Sequence, residues 1–203
     1  MFFGSKRPVA VPYHKEEILK LVKLLETRSF KTYNARIEAH KRLSRRNNAW
    51  NASLIALATS TTIASVGLLV DRNMYGSGGD ALMVTLAILS LVASLVVSSV
   101  NYGSRSRAME SSYKRIQQIS LAAESFPAVA TENVRRQYLE LRKEYEIAIE
   151  SSENHSDADY ERSQGGPKKI LWRDAAISFS PYIVLVTPIG LIVPFAAWFI
   201  NGT

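Results

Sequence analysis

Residues 50–70, WNASLIALATSTTIASVGLLV, and residues 81–100, ALMVTLAILSLVASLVVSSV, are two charge-free apolar stretches separated by only the ten residues Asp71 to Asp80. At about 1.5 Å rise per residue, a helix of either length covers roughly 30 Å, the thickness of a bilayer's hydrocarbon core. A charged side chain at the centre of such a helix costs about 2.5–3.5 kcal/mol on insertion scales, so the absence of Asp, Glu, Lys and Arg from both stretches is what lipid requires. The pair reads as a transmembrane helical hairpin, and the chain as an all-α integral membrane protein.

Flanking charge orients the hairpin. Residues 1–49 carry twelve Lys and Arg against four acidic residues, a net of +8, whereas residues 71–80 carry Arg72 against two aspartates, a net of −1. By the positive-inside rule the N-terminal segment is cytoplasmic and the short loop lies outside. Residues 101–174 balance twelve basic against twelve acidic residues, with Arg105 and Arg107 just behind the second stretch and Lys168, Lys169 and Arg173 ahead of the next apolar run. Both ends of this region favour the cytoplasm. The first apolar stretch begins only at Trp50 and is followed at once by another, which suits a retained anchor better than a cleaved signal.

A last apolar run, residues 175–200, is long enough for a third span, although it holds Pro181, Pro188, Pro194 and Gly190. Prolines kink a helix and free carbonyls, which membrane helices tolerate where neighbours satisfy them. A third transmembrane helix is the expectation, with a re-entrant or interfacial segment as its competitor. Tyr182 and Trp198 stand where interfacial aromatics are placed.

Outside the hairpin, Ile18, Leu21, Val22 and Leu25 form one helical stripe, and Phe30, Tyr33 and Ile37 begin another, with Thr27 to Ser29 as a potential break. The later helix runs without Pro or Gly into Trp50. Behind the hairpin, Met109, Tyr113, Ile116, Ser120 and Ala123 follow steps of four and three. The rhythm returns after Pro127 as Val134, Tyr138, Leu141, Tyr145 and Ala148, with Thr131 as an N-cap. An antiparallel bundle explains these seams, and the second of them is a candidate partner or oligomer surface. The segments are therefore basic amphipathic helices (1–49), hairpin (50–100), helical region (101–150), flexible linker (151–169) and final apolar run (175–200).

Within the hairpin, Ala52, Ala56, Ser60 and Ala64 recur every four residues, and Ala87, Ser90, Ser94 and Ser98 share a helical face continued by Asn101. Small residues let helix backbones approach, so close packing is the first reading of Ser60, Ser90, Ser94 and Ser98; lining of a water-filled path in an oligomer is the second. Lys41, Arg42, Arg45 and Arg46, at the membrane edge, either bind anionic headgroups or serve only to orient the chain. Without interleaved aromatics, this cluster does not suggest direct nucleic-acid binding.

Nothing points to catalysis. The chain has no cysteine, which excludes thiolate chemistry and disulfides, and it has no P-loop, nucleophile elbow or zinc motif. Glu153, His155, Asp157 and Asp159 superficially resemble metal ligands but lack the spacing of a calcium loop or a second histidine. His40 reads as a seam or surface residue, and Gly76, Gly78 and Gly79 as turn residues. Neither metal, cofactor nor catalytic residue is expected.

The segment KTYNARIEAHKRLSRRNNAW (31–50) leading into the hairpin, then SRSRAMESSYKRIQQISLAAESF (104–126) and NVRRQYLELRKEYEIAI (133–149), resembles the SLATT family of two-transmembrane effectors. The resemblance covers residues 15–150, and the proline-bearing last run departs from its two-span pattern. It implies a homo-oligomeric, pore-forming or membrane-disrupting effector of antiphage defence in the bacterial inner membrane. Its partners would be a nucleotide-signal synthase, a SLOG-type sensor or a reverse transcriptase. The alternative is a non-conducting anchor or sensor that recruits a soluble partner through its cytoplasmic helices.

Overall fold

A computed structural model describes residues 15–126, 133–150, 153–165 and 172–201. The described residues form six helices and no strand: α1 (Lys15–Val70), α2 (Gly79–Val100), α3 (Tyr102–Glu124), α4 (Val134–Glu150), α5 (Asp157–Ser163) and α6 (Trp172–Asn201). The expected N-cap Thr131, the lysines Lys168 and Lys169 and the last residues, 202–203, lie outside the described residues.

α1 is one unbroken helix of 56 residues, about 84 Å at 1.5 Å per residue, and it is the spine of the molecule. The break expected at Thr27–Ser29 does not occur. Thr27 Oγ1 donates to the Lys23 carbonyl at 2.9 Å and Ser29 Oγ to the Glu26 carbonyl at 3.0 Å, so both hydroxyls bond back into the helix rather than capping a new one.

The two apolar stripes expected in the first half also resolve differently. Phe30 is exposed, and a single inward seam continues through Ile18, Val22, Leu25, Ser29, Thr32, Arg36, Ala39, Leu43 and Arg46. The same seam enters the apolar half as Trp50, Ser53, Leu57, Ser60 and Ala64. Every step is three or four residues, the spacing of a coiled-coil seam. In the apolar half this replaces the strict four-residue repeat: Ser60 and Ala64 are buried, but Ala52 is exposed.

α1 packs most extensively against α3 and α6, and also against α5, α2 and α4. At its charged end Ile18, Val22 and Leu25 join Ala123, Val134 and Tyr138 in one core cluster, with Leu141 and Tyr145 against it. Next to it, Ile116, Ile119 and Ala148 form a second cluster that Tyr33 also touches. At the far apolar end Ala64, Leu68, Met83 and Leu191 bring α1, α2 and α6 together.

The turn between α1 and α2 is closed by Asp71, whose Oδ1 accepts from Asn73 N at 2.9 Å, and by Gly76 at φ +76°, a conformation glycine adopts without strain. α2 and α3 are nearly one helix, interrupted at Asn101 (φ 51°, ψ 47°), the non-glycine residue type that best tolerates a left-handed backbone. Its side chain then caps α3 by accepting from Ser104 N at 3.3 Å.

α6 is helical through all three prolines, the continuous alternative to a re-entrant path. Pro181 lacks the N–H that would bond the Ile177 carbonyl, and Ser180 Oγ donates to that carbonyl instead, at 3.0 Å. α1, α2–α3 and α6 each contain a stretch long and apolar enough to cross a membrane.

Residues 151–169, expected as a flexible linker, contain α5. Ser156 caps it, accepting from Asp159 N, while the Asp159 carboxylate accepts from Ser156 N and Oγ at 3.1 and 2.8 Å. This reciprocal box gives a seven-residue helix a fixed start.

Candidate functional site

α1 carries a succession of polar side chains along its inward side, and between them they fix α3, α4, α5 and α6 to the spine. Thr32 Oγ1 lies 2.9 Å from Tyr145 Oη of α4. One turn on, Arg36 is 1 % exposed and reaches the C-terminus of α4, donating through Nη1 to the Ala148 carbonyl and through Nη2 to the Ile149 carbonyl, both at 2.9 Å. Those carbonyls are among the last four of α4, which have no partner within the helix and carry its negative dipole end. The buried guanidinium is thus matched by a helix terminus rather than by a carboxylate. Arg36 Nη1 also bonds Ser112 Oγ of α3, which itself donates to Ala148 O at 3.1 Å. Burial lowers the Arg36 pKa, an effect Tyr145 opposes; a guanidinium remains charged regardless.

Farther along, His40 Nδ1 lies 3.0 Å from the Ser106 carbonyl oxygen, and its ring meets Tyr113 edge-on at 5.6 Å. Arg42 then grips α5 in a two-pronged pair: Nε to Asp159 Oδ1 at 3.0 Å and Nη2 to Oδ2 at 2.8 Å. Asp159 is fully buried. Burial alone would raise its pKa, but the hydrogen bonds from Arg42 and Ser156 and the charge of Arg42 outweigh it and hold the carboxyl below its ordinary value. His155 stacks on Tyr160 at 6.2 Å, and burial, with the nearby charge of Arg36, lowers its pKa against the opposing pull of Asp159 and Asp157.

From the end of the charged half onward the fixings pass to α6. Arg46 Nη2 donates to Ser178 Oγ at 3.3 Å and Ser53 Oγ to the Pro181 carbonyl at 2.8 Å. At the far end Tyr75 Oη donates to the Leu191 carbonyl at 2.6 Å. Gly67 lets this contact close: a Cβ there would stand 2.8 Å from Met74 Sδ and 2.9 Å from Phe195 Cδ2.

The expected site residues are distributed unevenly over this framework. Ser60 is buried and donates to Leu57 O within α1 at 3.0 Å. On α2 the inward stripe is Met83, Leu86, Ser90, Ala93, Val97 and Val100, so Ser90 faces the spine but Ser94 and Ser98 do not. Each four-residue step turns roughly 40° beyond a full revolution, which carries those two onto the exposed side. Of the basic cluster, Arg42 and Arg46 turn inward, Lys41 pairs with Glu38 at 2.8 Å, and Arg45 is exposed.

The seam of Val134, Tyr138, Leu141 and Tyr145 is not an outward surface: it packs against α1 and α3 of the same chain, because the stripe that would recruit a partner is the one that closes the bundle. Glu153 and Asp159, considered as metal ligands, are committed elsewhere. Glu153 pairs with Arg105 at 2.8 Å, and Asp159 pairs with Arg42.

Arg36, Ser112, His155 and Asp159 escaped the sequence reading as functional residues. Two of them carry a signal in the sequence. Arg36 occupies a seam position between Thr32 and Ala39, and Ser156-x-x-Asp159 is a capping-box pattern.

No curated protein and no solved structure matches the chain. The family model for SMODS and SLOG-associating 2TM effector domains, family 5, matches residues 19–200, a range that takes in α6 as well as the hairpin; the chain belongs to that family of membrane effectors.

Proposed function

We propose that the chain permeabilises the bacterial inner membrane as the effector of an antiphage defence system, by assembling through α2 when its charged half receives an activating signal. A synthase, SLOG-type sensor or reverse transcriptase encoded beside it would supply that signal. The excess of positive charge in residues 1–49 over the loop 71–80 supports a cytoplasmic charged half and an external loop.

The observation that carries the reading is the contrast between the two sides of the spine. α1 buries Ser53 and Ser60 in its own seam, and Ser53 is bonded to α6, whereas α2 leaves Ser94 and Ser98 exposed among apolar neighbours such as Leu91, Leu95 and Val96. In lipid a hydroxyl-bearing face is best met by another helix, and small residues permit the close approach. A ring of α2 helices would bury that face between copies and present hydroxyls to a central path.

The cysteine-free chain makes the test direct. Oxidation of membranes holding Ser94→Cys or Ser98→Cys yields covalent dimers on activation, while Val96→Cys, on the opposite side of α2, yields few. Equal cross-linking from both sides, or none from Ser94→Cys and Ser98→Cys, contradicts assembly through this face.

A further inference from the structure

Where the charged half of α1 gives way to the apolar half, at the level of Ala49, a cavity of about 880 Å³ opens between α1, α5 and α6. Lys41, Arg42, Arg45 and Arg46 line it from α1 and Arg162 from α5, and Glu38 is the one carboxylate among its described lining residues. Asp159 stands behind them, 2.8 Å from Arg42 and 3.7 Å from Arg162. Setting only Lys41, Arg42, Arg45 and Arg162 against Glu38 and Asp159 still leaves two positive charges on the wall. Like charges gathered at one place repel and focus a positive field, which an anion of matching size neutralises.

The donor set narrows the anion. Guanidinium forks match the paired oxygens of a phosphate, and of the cations on this wall all but Lys41 are arginines. The α6 side is aromatic: Phe179 and Tyr182 line it and are both exposed, Tyr182 at the junction where an amphipathic ring sits at headgroup level. A ligand filling the cavity would meet cations from α1 and α5 and two aromatic side chains from α6.

We infer that this cavity is a binding site for a phosphate-bearing anion, held between the spine, α5 and the third apolar helix. A phospholipid headgroup and a soluble phosphorylated molecule share this chemistry. The bound phosphate ties α6 and α5 to α1 at one point, so occupancy bears on how the apolar helices are arranged. Binding is measured without reference to leakage, and its outcome is independent of the permeabilising role.

The experiment uses the full chain in phosphatidylcholine nanodiscs. One arm replaces part of the phosphatidylcholine by phosphatidylglycerol; the other keeps phosphatidylcholine and titrates inorganic pyrophosphate. Each is read as the rise in thermal unfolding temperature with anion concentration.

Lys41→Gln/Arg45→Gln removes two surface cations of the cavity, and Arg107→Gln removes an exposed cation near the start of α3 as the control for diffuse attraction. Wild type and the control are stabilised in at least one arm, and the arm names the source. In that arm the double variant needs roughly tenfold more anion, about 1.4 kcal/mol. Stabilisation in neither arm, an undiminished response in the double variant, or an equal loss in the control overturns the site.

Discussion

Arg42 and Asp159 stand 117 residues apart in sequence and form a two-pronged ion pair, with the carboxylate fully buried and the guanidinium at the cavity edge. This pair fastens α5 to the spine, and α5 closes one side of the basic cavity. Asp159→Asn keeps the shape but removes the carboxylate charge that Arg42 grips, which destabilises the docked helix by about 2 kcal/mol. Amide hydrogen exchange reads this locally: residues 157–163 lose protection in the variant while the core of α3 keeps it.

Acid should loosen the same helix in two stages. The folded-state pKa of His155 is below its ordinary value, near 6.5, so the unfolded state takes the proton first; the stability tied to neutral His155 is complete above that value and declines as pH falls below it. Asp159 is likewise lowered from about 3.8, and its contribution is lost only as pH falls through the still lower folded value. Exchange protection of α5 measured across pH should therefore begin to fall under pH 6.5, and His155→Gln should remove the first stage and leave the second.

Arg36 makes a different kind of anchor, since it satisfies carbonyls and sets its charge against the negative end of the α4 dipole. Arg36→Met removes the buried charge but takes the Nη2 donor from the Ile149 carbonyl and leaves Ala148 O without its guanidinium bond, a loss of about 2 kcal/mol. The expected result is fraying of the last turn of α4, seen as new protease cleavage near Glu150 with membrane insertion unchanged.

Composition and length made the apolar helices readable, because lipid imposes a constraint that neither needs nor hides a partner. Residues 50–70, 81–100 and 175–200 could be recognised without knowing what they touch. The interior of the charged half could not. A search for apolar periodicity loses the seam at Ser29, Arg36 and Arg46: Ser29 bonds back to the Glu26 carbonyl of its own helix, and Arg36 and Arg46 turn inward where other helices present carbonyls and hydroxyls to them. The stripe at Val134, Tyr138, Leu141 and Tyr145 was visible as a buried face, but periodicity says only that a face is buried, not that α1 and α3 are what bury it. α5 looked like a linker because its serine and aspartates are also the residues of solvated loops; only the capping pattern separates the two cases.

Gly67 tests the pairing of α1 with α6. Leucine at this position would drive its side chain into Met74 and Phe195, and overpacking of this kind costs about 1–3 kcal/mol. Oxidative cross-linking of an Ala64→Cys, Leu191→Cys pair, efficient in the parent chain, should fall in the Gly67→Leu background as α6 is pushed from the spine.

Permeabilisation is tested most directly by recording membrane potential with a voltage-sensitive dye during induced expression beside the neighbouring defence genes and their trigger. The wild-type chain should depolarise the cell, and Ser94→Leu/Ser98→Leu, inserted to the same level, should not. Wild-type protein that is abundant in the membrane, exposed to its activating partner and still unable to depolarise it would contradict the account.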